Sequence, residues 1–98
     1  MLLLAVLQAR PAHGYAIIEE LRQRSSGTFD LPEGTVYPAL HRLERAGLLA
    51  SRWSDEAPRK RRIYELTQRG QIALVDYQQD WLQFSHSISA VLKGAPGT

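Results

Sequence analysis

Basic side chains are concentrated in one segment of this 98-residue chain, and they are the groups best suited to do chemistry. Residues 41–62 hold seven of the twelve Lys and Arg residues against three carboxylates, although the formal net charge of the whole chain is only +2. Four of the seven are consecutive: Arg59, Lys60, Arg61 and Arg62. Such a cluster is either a solvated basic loop or a surface that binds phosphate groups.

The segment 33–47 has the periodicity of an amphipathic helix with an unusual outer face. Its apolar residues, at spacings of four and three, predict the buried face: Val36, Leu40 and Leu43. The opposite face carries small or basic residues: Gly34, Pro38, His41, Arg42 and Arg45. Gly34 and Pro38 project little, so another surface can approach the helix backbone closely. The side chains left to contact that surface are Thr35, His41 and Arg42.

A helix with such a face fits the major groove of DNA. The groove is about 12 Å wide and admits one helix, from which Arg42 can bond to guanine and the methyl group of Thr35 can meet a thymine methyl. Tyr37 is a further candidate contact on the same helix. Pro38 inside a regular helix costs on the order of 3 kcal/mol, so the helix either begins close to it or bends there. Pro38 therefore fits a tolerated first-turn proline or a helix start presented to a phosphate or a groove.

After Gly47 the apolar period changes from that of a helix to two, which predicts a β-hairpin. The predicted strands are residues 48–54 and 62–66, and the polar stretch 55–61 forms the tip. A hairpin tip holds charge clear of the core, so its basic residues can lie along a phosphate backbone. The residues assigned to this contact are Arg59, Lys60 and Arg61.

The elements that position these residues are three short helices before the hairpin and one long helix after it. The short helices are predicted at residues 2–9, 13–24 and 33–46. Thr67 offers an N-cap oxygen to a proline-free helix of about 25 residues that runs to Leu92. The predicted fold is mainly α with a small β-hairpin, divided into a winged helix-turn-helix (1–66), a long dimerisation helix (67–92) and an unstructured tail (93–98).

The long helix carries an apolar stripe with alternating spacings of three and four: Leu74, Tyr77, Trp81, Phe84, Ile88 and Val91. This spacing is typical of a coiled-coil contact, and a single stripe in so small a chain cannot bury itself. It predicts a homodimer, with packing of part of the stripe on the first helix as the alternative. Aromatic rings at Tyr77, Trp81 and Phe84 hold paired helices apart and leave space for a planar aromatic ligand, with Trp81 as its principal contact.

Several other functions are excluded by composition and motifs. The chain has no cysteine, which removes disulfides and thiolate chemistry and favours a cytoplasmic location. Its three histidines lack metal-binding spacing and the usual hydrolase and nucleotide motifs are absent, so we expect no enzyme activity, cofactor or metal. The apolar run 2–7 is too short for a secretion signal, and no run reaches the roughly 18–20 residues of a membrane span.

Three segments together resemble the PadR family of transcriptional regulators: HGYAIIEEL (13–21), EGTVYPALHRLERAGLL (33–49) and RRIYELTQRG (61–70). The family signature runs HGY, then GTxYPxLxRLExxGL, then a basic wing that ends in YxLTxxG. The resemblance covers about residues 2–92. The chain departs from the family in its shorter first helix and in Pro32, which stands where a serine cap is common.

This resemblance implies a DNA-binding repressor of neighbouring genes that is released by a small ligand. It also implies a phosphate hydrogen bond from Tyr15, for which a buried packing role is the alternative. In some members a tryptophan fourteen residues after the threonine of the LT motif lines a ligand pore, and Trp81 has this spacing from Thr67. A dimer would hold two recognition helices about 34 Å apart and require a palindromic operator.

The alternative function is a winged helix that binds another protein. Such a module has the same core but tends to expose an apolar patch in place of a basic tip. The outer face of 33–47 is basic and has almost no large aliphatic residues, which favours DNA.

Overall fold

The computed structural model describes residues 1–55 and 60–94. Within them the helices are α1 (Leu2–Ala9), α2 (Gly14–Arg24), α3 (Glu33–Arg45) and α4 (Gln68–Leu92). The strands are β1 (Ala12–His13), β2 (Leu49–Trp53) and β3 (Arg62–Leu66). This order confirms the predicted fold class, a winged helix followed by a long C-terminal helix. Lys93 and Gly94 follow α4, and the rest of the predicted tail, residues 95–98, lies outside the described residues.

The ends of the helices follow local sequence signals. The Thr67 hydroxyl accepts a hydrogen bond from the Gly70 backbone N–H at 3.0 Å and caps α4 as predicted. His13 caps α2, because its imidazole Nδ1 accepts from the Ala16 N–H at 3.2 Å. Pro32 precedes α3 and gives it no side-chain cap. Gly47 follows α3 with a φ of +79°, a left-handed conformation that favours glycine and turns the chain into β2.

The wing belongs to a three-stranded antiparallel sheet in the order β1, β3, β2. Strands β2 and β3 are the predicted hairpin, paired from Leu49 with Leu66 to Trp53 with Arg62. Strand β1 was not predicted and corrects the two-stranded hairpin. It pairs His13 with Ile63 and so attaches the start of α2 to the base of the wing. Two residues between a proline and a helix are too short to show a strand periodicity.

One apolar core holds these elements together. Its buried side chains come from all four helices and from β2 and β3: Leu3, Leu4, Val6, Leu7, Ile17, Leu21, Val36, Leu40, Leu49, Tyr64 and Leu74. Each such side chain contributes about 1.5–3 kcal/mol by leaving water. Leu74, predicted at the dimer interface, is only 1% exposed because α1 packs against the start of α4. This corrects its assignment and shortens the exposed stripe to five residues.

Most of α4 extends away from this core. We call the described residues up to Leu74 the body, and residues 75–92 the distal α4. The principal extents are 64 × 28 × 21 Å and the radius of gyration is 16.8 Å, against about 13 Å for a compact chain of this length. Within residues 1–55 and 60–94, no helix has both the length and the apolar composition that a membrane span requires.

Candidate nucleic-acid interface

Helix α3 presents the two faces that its sequence predicts. Val36 and Leu40 are buried, and Leu43 is partly buried beside them. The residues predicted to point outward are all exposed: Gly34, Thr35, Pro38, His41, Arg42 and Arg45. The core therefore holds one side of α3 firmly and leaves a smooth basic surface on the other.

Gly34 has no role in the packing of the body. A Cβ atom built on it would meet nothing within 4 Å, and its φ is negative. Glycine within a helix is about 1 kcal/mol less favourable than alanine, so Gly34 lowers the stability of α3, and no packing contact in the body requires it. Its one structural consequence is a bare patch of backbone at the first turn of α3.

Pro38 lies inside α3 as its sixth residue, and the helix continues past it to Arg45. It is therefore not a first-turn proline. Because proline has no N–H, the carbonyl of Gly34 lacks its usual hydrogen bond from four residues further on. Gly34 and Pro38 together make the outer face of the first two turns low and smooth.

Tyr37 is half-buried at the junction of α2 and α3. Its ring lies against Gly14, where a Cβ atom would come within 2.4 Å of Cζ and of the hydroxyl oxygen. Burial, and then the nearby Glu33 carboxylate, raise the pKa of Tyr37, so its phenol stays neutral. The ring thus sets the distance between the two helices, and Gly14 is a site residue that the sequence analysis missed. A glycine immediately after a helix cap was the signal available.

The base of the wing is joined to α3 by a cluster of side chains that was also missed. The Ser51 hydroxyl donates to the Glu44 carboxylate, and Arg62 Nη2 lies 3.6 Å from the same carboxylate oxygen. The Arg62 guanidinium also lies over the Trp53 ring, 5.3 Å from its centroid. These contacts fix the direction in which the wing leaves the body.

Two of the three predicted wing contacts, Lys60 and Arg61, are exposed on the side of the wing that faces α3. The third, Arg59, lies outside the described residues. Arg61 Nη1 is 2.9 Å from His13 Nε2, which brings the wing to the start of α2. Lys60 and Arg61 thus lie beside α2 and α3.

A groove of about 480 Å³ runs between α3, the start of α2 and the wing. It is lined by residues of all three: His13, Gly14, Tyr15, Tyr37, His41, Trp53, Lys60, Arg61, Arg62 and Tyr64. Tyr15 is 61% exposed on its rim, which excludes the alternative of a buried packing tyrosine. Aromatic walls and basic ends make this groove suited to a polyanion.

Two carboxylates lie next to residues of this groove, Glu33 near Tyr37 and Glu44 near Arg62, and Glu44 is held by Arg62 and Ser51. On α2, Glu19 pairs with Arg22 at 2.6 Å and Glu20 with Arg24 at 2.7 Å. The Arg22 hydrogen bond lowers the pKa of the Glu19 carboxyl, which is held in that pair and not in the groove. In the part of the chain that the structure describes, no group of three or more His, Cys, Asp or Glu residues is placed to hold a metal ion.

The distal α4 forms a second surface of different chemistry. The five remaining stripe residues are all exposed: Tyr77, Trp81, Phe84, Ile88 and Val91. The rings of Trp81 and Phe84 lie 6.0 Å apart at an angle of 37°. These residues form one apolar face, and it lies outside the groove.

Comparisons with known proteins agree with this architecture. The family model described as "Transcriptional regulator PadR-like family" matches residues 3–76. The transcriptional regulator Rv3488 of Mycobacterium tuberculosis is 39% identical over 64 residues, which cover 65% of this chain and 57% of the relative.

Solved structures extend the likeness to nearly the whole chain. A PadR family transcription regulator from Clostridium difficile R20291 is 31% identical, with a TM-score of 0.82 over 93% of this chain and 94% of that one. PadR of Bacillus subtilis, solved in complex with operator DNA, is 22% identical, with a TM-score of 0.72 over 79% of this chain and 44% of that one. The second likeness is one of fold.

Proposed function

Because this chain belongs to the PadR-like family of transcriptional regulators, we propose that it is a homodimeric repressor that binds a palindromic operator. Membership of a regulator family confirms the prediction of a regulator and not an enzyme. The observation that carries the proposal is the exposed face of α3, where bare backbone at Gly34 and Pro38 lies beside Thr35, His41 and Arg42. In this reading α3 enters the major groove and the wing follows the phosphate backbone.

Support for DNA as the partner comes from the small and basic residues of that face. A protein-binding module would need an apolar patch, but the outer side of α3 carries no large aliphatic residue. Gly34 costs stability that the body does not recover, which is understandable if another surface must approach the helix. The fold is shared with Bacillus subtilis PadR, which was solved with operator DNA.

The homodimer is supported by the distal α4. The residues of its aromatic and aliphatic face are all exposed, and the exposed fraction of Trp81 is 57%. Pairing two such helices would cover the face and hold two copies of α3 at a fixed separation. The separation that suits a palindrome is about one DNA turn, or 34 Å.

The repressor is proposed to be released by a planar aromatic ligand between the paired helices. Support comes from the tilted rings of Trp81 and Phe84, with Tyr77 one turn earlier, which together offer flat faces to such a molecule. Release requires that the ligand favour a dimer whose recognition helices no longer match the groove spacing. Action on DNA and the lack of cysteine fit a cytoplasmic location.

DNA binding is tested by titrating the chain with its own promoter region and with random duplex at several salt concentrations. Arg42→Ala should weaken promoter binding about tenfold and relax sequence preference, because a bidentate base contact is lost. The double variant Lys60→Ala and Arg61→Ala should weaken binding to both duplexes. It should also reduce the slope of log affinity against log salt concentration by about two, one for each phosphate contact. Arg22→Ala is the matched control, since Arg22 is exposed but pairs with Glu19 outside the groove.

Wild-type binding to neither duplex would reject the proposal. Capture of a protein through α3 that duplex does not displace would favour the interaction module. Loss of binding in the Arg22→Ala control, equal to that in Arg42→Ala, would show that any lost charge suffices and that α3 reads no bases.

Ligand release is tested with Trp53→Phe protein, in which Trp81 is the remaining tryptophan. Planar aromatic compounds should quench its fluorescence saturably and reduce operator affinity, and Trp81→Ala should abolish their effect on operator affinity. Quenching without any change in operator affinity would leave a binding site that is not a switch. Quenching by none of a broad panel would reject the ligand site.

A further inference from the structure

His13 is held between two hydrogen-bond donors. Its Nδ1 accepts from the Ala16 backbone N–H at 3.2 Å, which caps α2. Its Nε2 lies 2.9 Å from Nη1 of Arg61, a residue 48 positions later in the chain. The pairing of β1 with β3, His13 opposite Ile63, brings the two residues together.

These two contacts cannot both be hydrogen bonds of a neutral imidazole. A neutral ring has one N–H, so if Nδ1 accepts from the Ala16 N–H that caps α2, the proton is on Nε2. A guanidinium has donors and no acceptor. In this capping tautomer His13 Nε2–H and Arg61 Nη1–H are two donors side by side, without an acceptor between them.

Among the residues that the structure describes, no carboxylate forms an ion pair with His13 or Arg61. The ion pairs in the described parts of the chain join Arg22, Arg24 and Arg62 to carboxylates, and none involves Arg61. The positive end of the α2 dipole points toward His13, and exposed Lys60 lines the same groove. An incoming anion would satisfy both donors at once.

We propose that His13 and Arg61 together hold one non-bridging oxygen of a DNA backbone phosphate. The proposal rests on the proposed function and deepens it by naming the group that the groove binds. If α3 lies in the major groove and the wing beyond it, the DNA strand between them passes over the groove. His13 lies there, between α3 and the wing.

The two residues contribute in different ways. Arg61 brings a charge, so its phosphate contact releases a counterion and steepens the salt dependence. His13 in its capping tautomer gives a directed hydrogen bond without bringing a charge, so its contact releases no counterion. His13 is thus a phosphate-binding residue whose tautomer is set by its own helix cap.

The test is a set of duplex titrations at pH 8 with three single variants. His13→Asn keeps a good N-cap oxygen but has no group at the Nε2 position, whereas His13→Gln has an amide N–H near that position and a poorer cap. We expect His13→Asn to melt at the wild-type temperature and bind about tenfold more weakly with an unchanged salt slope. His13→Gln should regain part of that affinity, and Arg61→Gln should lower the slope by about one.

The ring itself gives a second readout. Long-range ¹H–¹⁵N spectra of the free protein at pH 8 should show the His13 proton on Nε2, and duplex should shift that signal. Inorganic phosphate, compared with chloride at equal ionic strength, should shift it only weakly. The proposal is overturned by wild-type affinity in His13→Asn, by a proton on Nδ1, or by a signal that phosphate saturates and duplex leaves unmoved. Failure of the wild type to bind any duplex would reject the proposed function instead.

Discussion

The body and the distal α4 distribute their apolar residues in opposite ways. In the body, eleven apolar side chains between Leu3 and Leu74 form a buried core, and the exposed side of α3 is small and basic. In the distal α4 the large apolar residues are themselves exposed: Val75, Tyr77, Trp81, Leu82, Phe84, Ile88, Val91 and Leu92. The body thus has its own core, whereas the distal α4 has a helical backbone without any core of its own.

This contrast assigns the two regions different sources of stability. A helix gains most of its stability in proteins by packing an apolar face, and the large apolar side chains of the distal α4 are exposed. The body should therefore be stable at any protein concentration, and the distal α4 should depend on a partner helix. The proposed DNA surface thus lies on the body, and the proposed dimer surface lies on the distal α4.

The largest effect is expected from removing the same side chain in the two regions. Leu40→Ala in the body should lower the free energy of unfolding by about 2–5 kcal/mol, because Leu40 is fully buried. Leu82→Ala, at 57% exposure and away from the apolar stripe, should change it by less than about 0.5 kcal/mol. Urea denaturation measures both. Equal losses would show that the distal α4 is as well covered as the body.

Ile88→Asp tests whether a partner covers the distal α4. A carboxylate in a paired apolar face should raise the dimer dissociation constant a hundredfold or more, on the order of 3 kcal/mol. Gln79→Asp is the matched control, about 200° around α4 from Tyr77, and should leave dissociation unchanged. Light scattering across micromolar concentrations gives the mass. A monomeric wild type would reject the dimer. Equal dissociation of both variants would show that the interface does not lie on the apolar face that contains Ile88.

Two glycines of the body, Gly70 and Gly34, differ in the space around them. A Cβ on Gly70 would come within 2.1 Å of the Leu48 carbonyl oxygen, so Gly70→Ala should cost about 1–3 kcal/mol. Gly34→Ala meets open space and should keep or raise stability by up to about 1 kcal/mol, yet weaken operator binding. Thermal melts and duplex titrations separate the two. Unchanged operator affinity in Gly34→Ala would show that the backbone of α3 does not approach DNA closely at Gly34.

Thr67 caps α4, the helix that runs from the body into the distal α4, and gives the smallest predicted effect. Its hydroxyl donates to the Gly47 carbonyl at 2.7 Å and accepts from the Gly70 N–H at 3.0 Å. Thr67→Ala should therefore cost about 1 kcal/mol, whereas Thr67→Ser retains both bonds and most of the stability. Denaturation midpoints measure this. A loss in Thr67→Ser as large as that in Thr67→Ala would show that the methyl group, and not the cap, matters.

Much of this protein is determined by its sequence alone, because the relevant signals are local. The helices at residues 2–9, 14–24 and 68–92 follow from apolar spacing and from caps such as Thr67, which act within a few residues. The two faces of α3 follow from the same spacing. The basic wing follows from a change of period after Gly47.

The tertiary structure alone decided which distant residues meet. Strand β1 exists because β3 offers it a partner, and this pairing places His13 beside Arg61 across 48 positions. Leu74 belongs to the core because α1 reaches it, although its spacing is that of the exposed stripe. Helical periodicity shows which face is apolar, but what covers that face is decided by long-range packing, which local sequence does not encode.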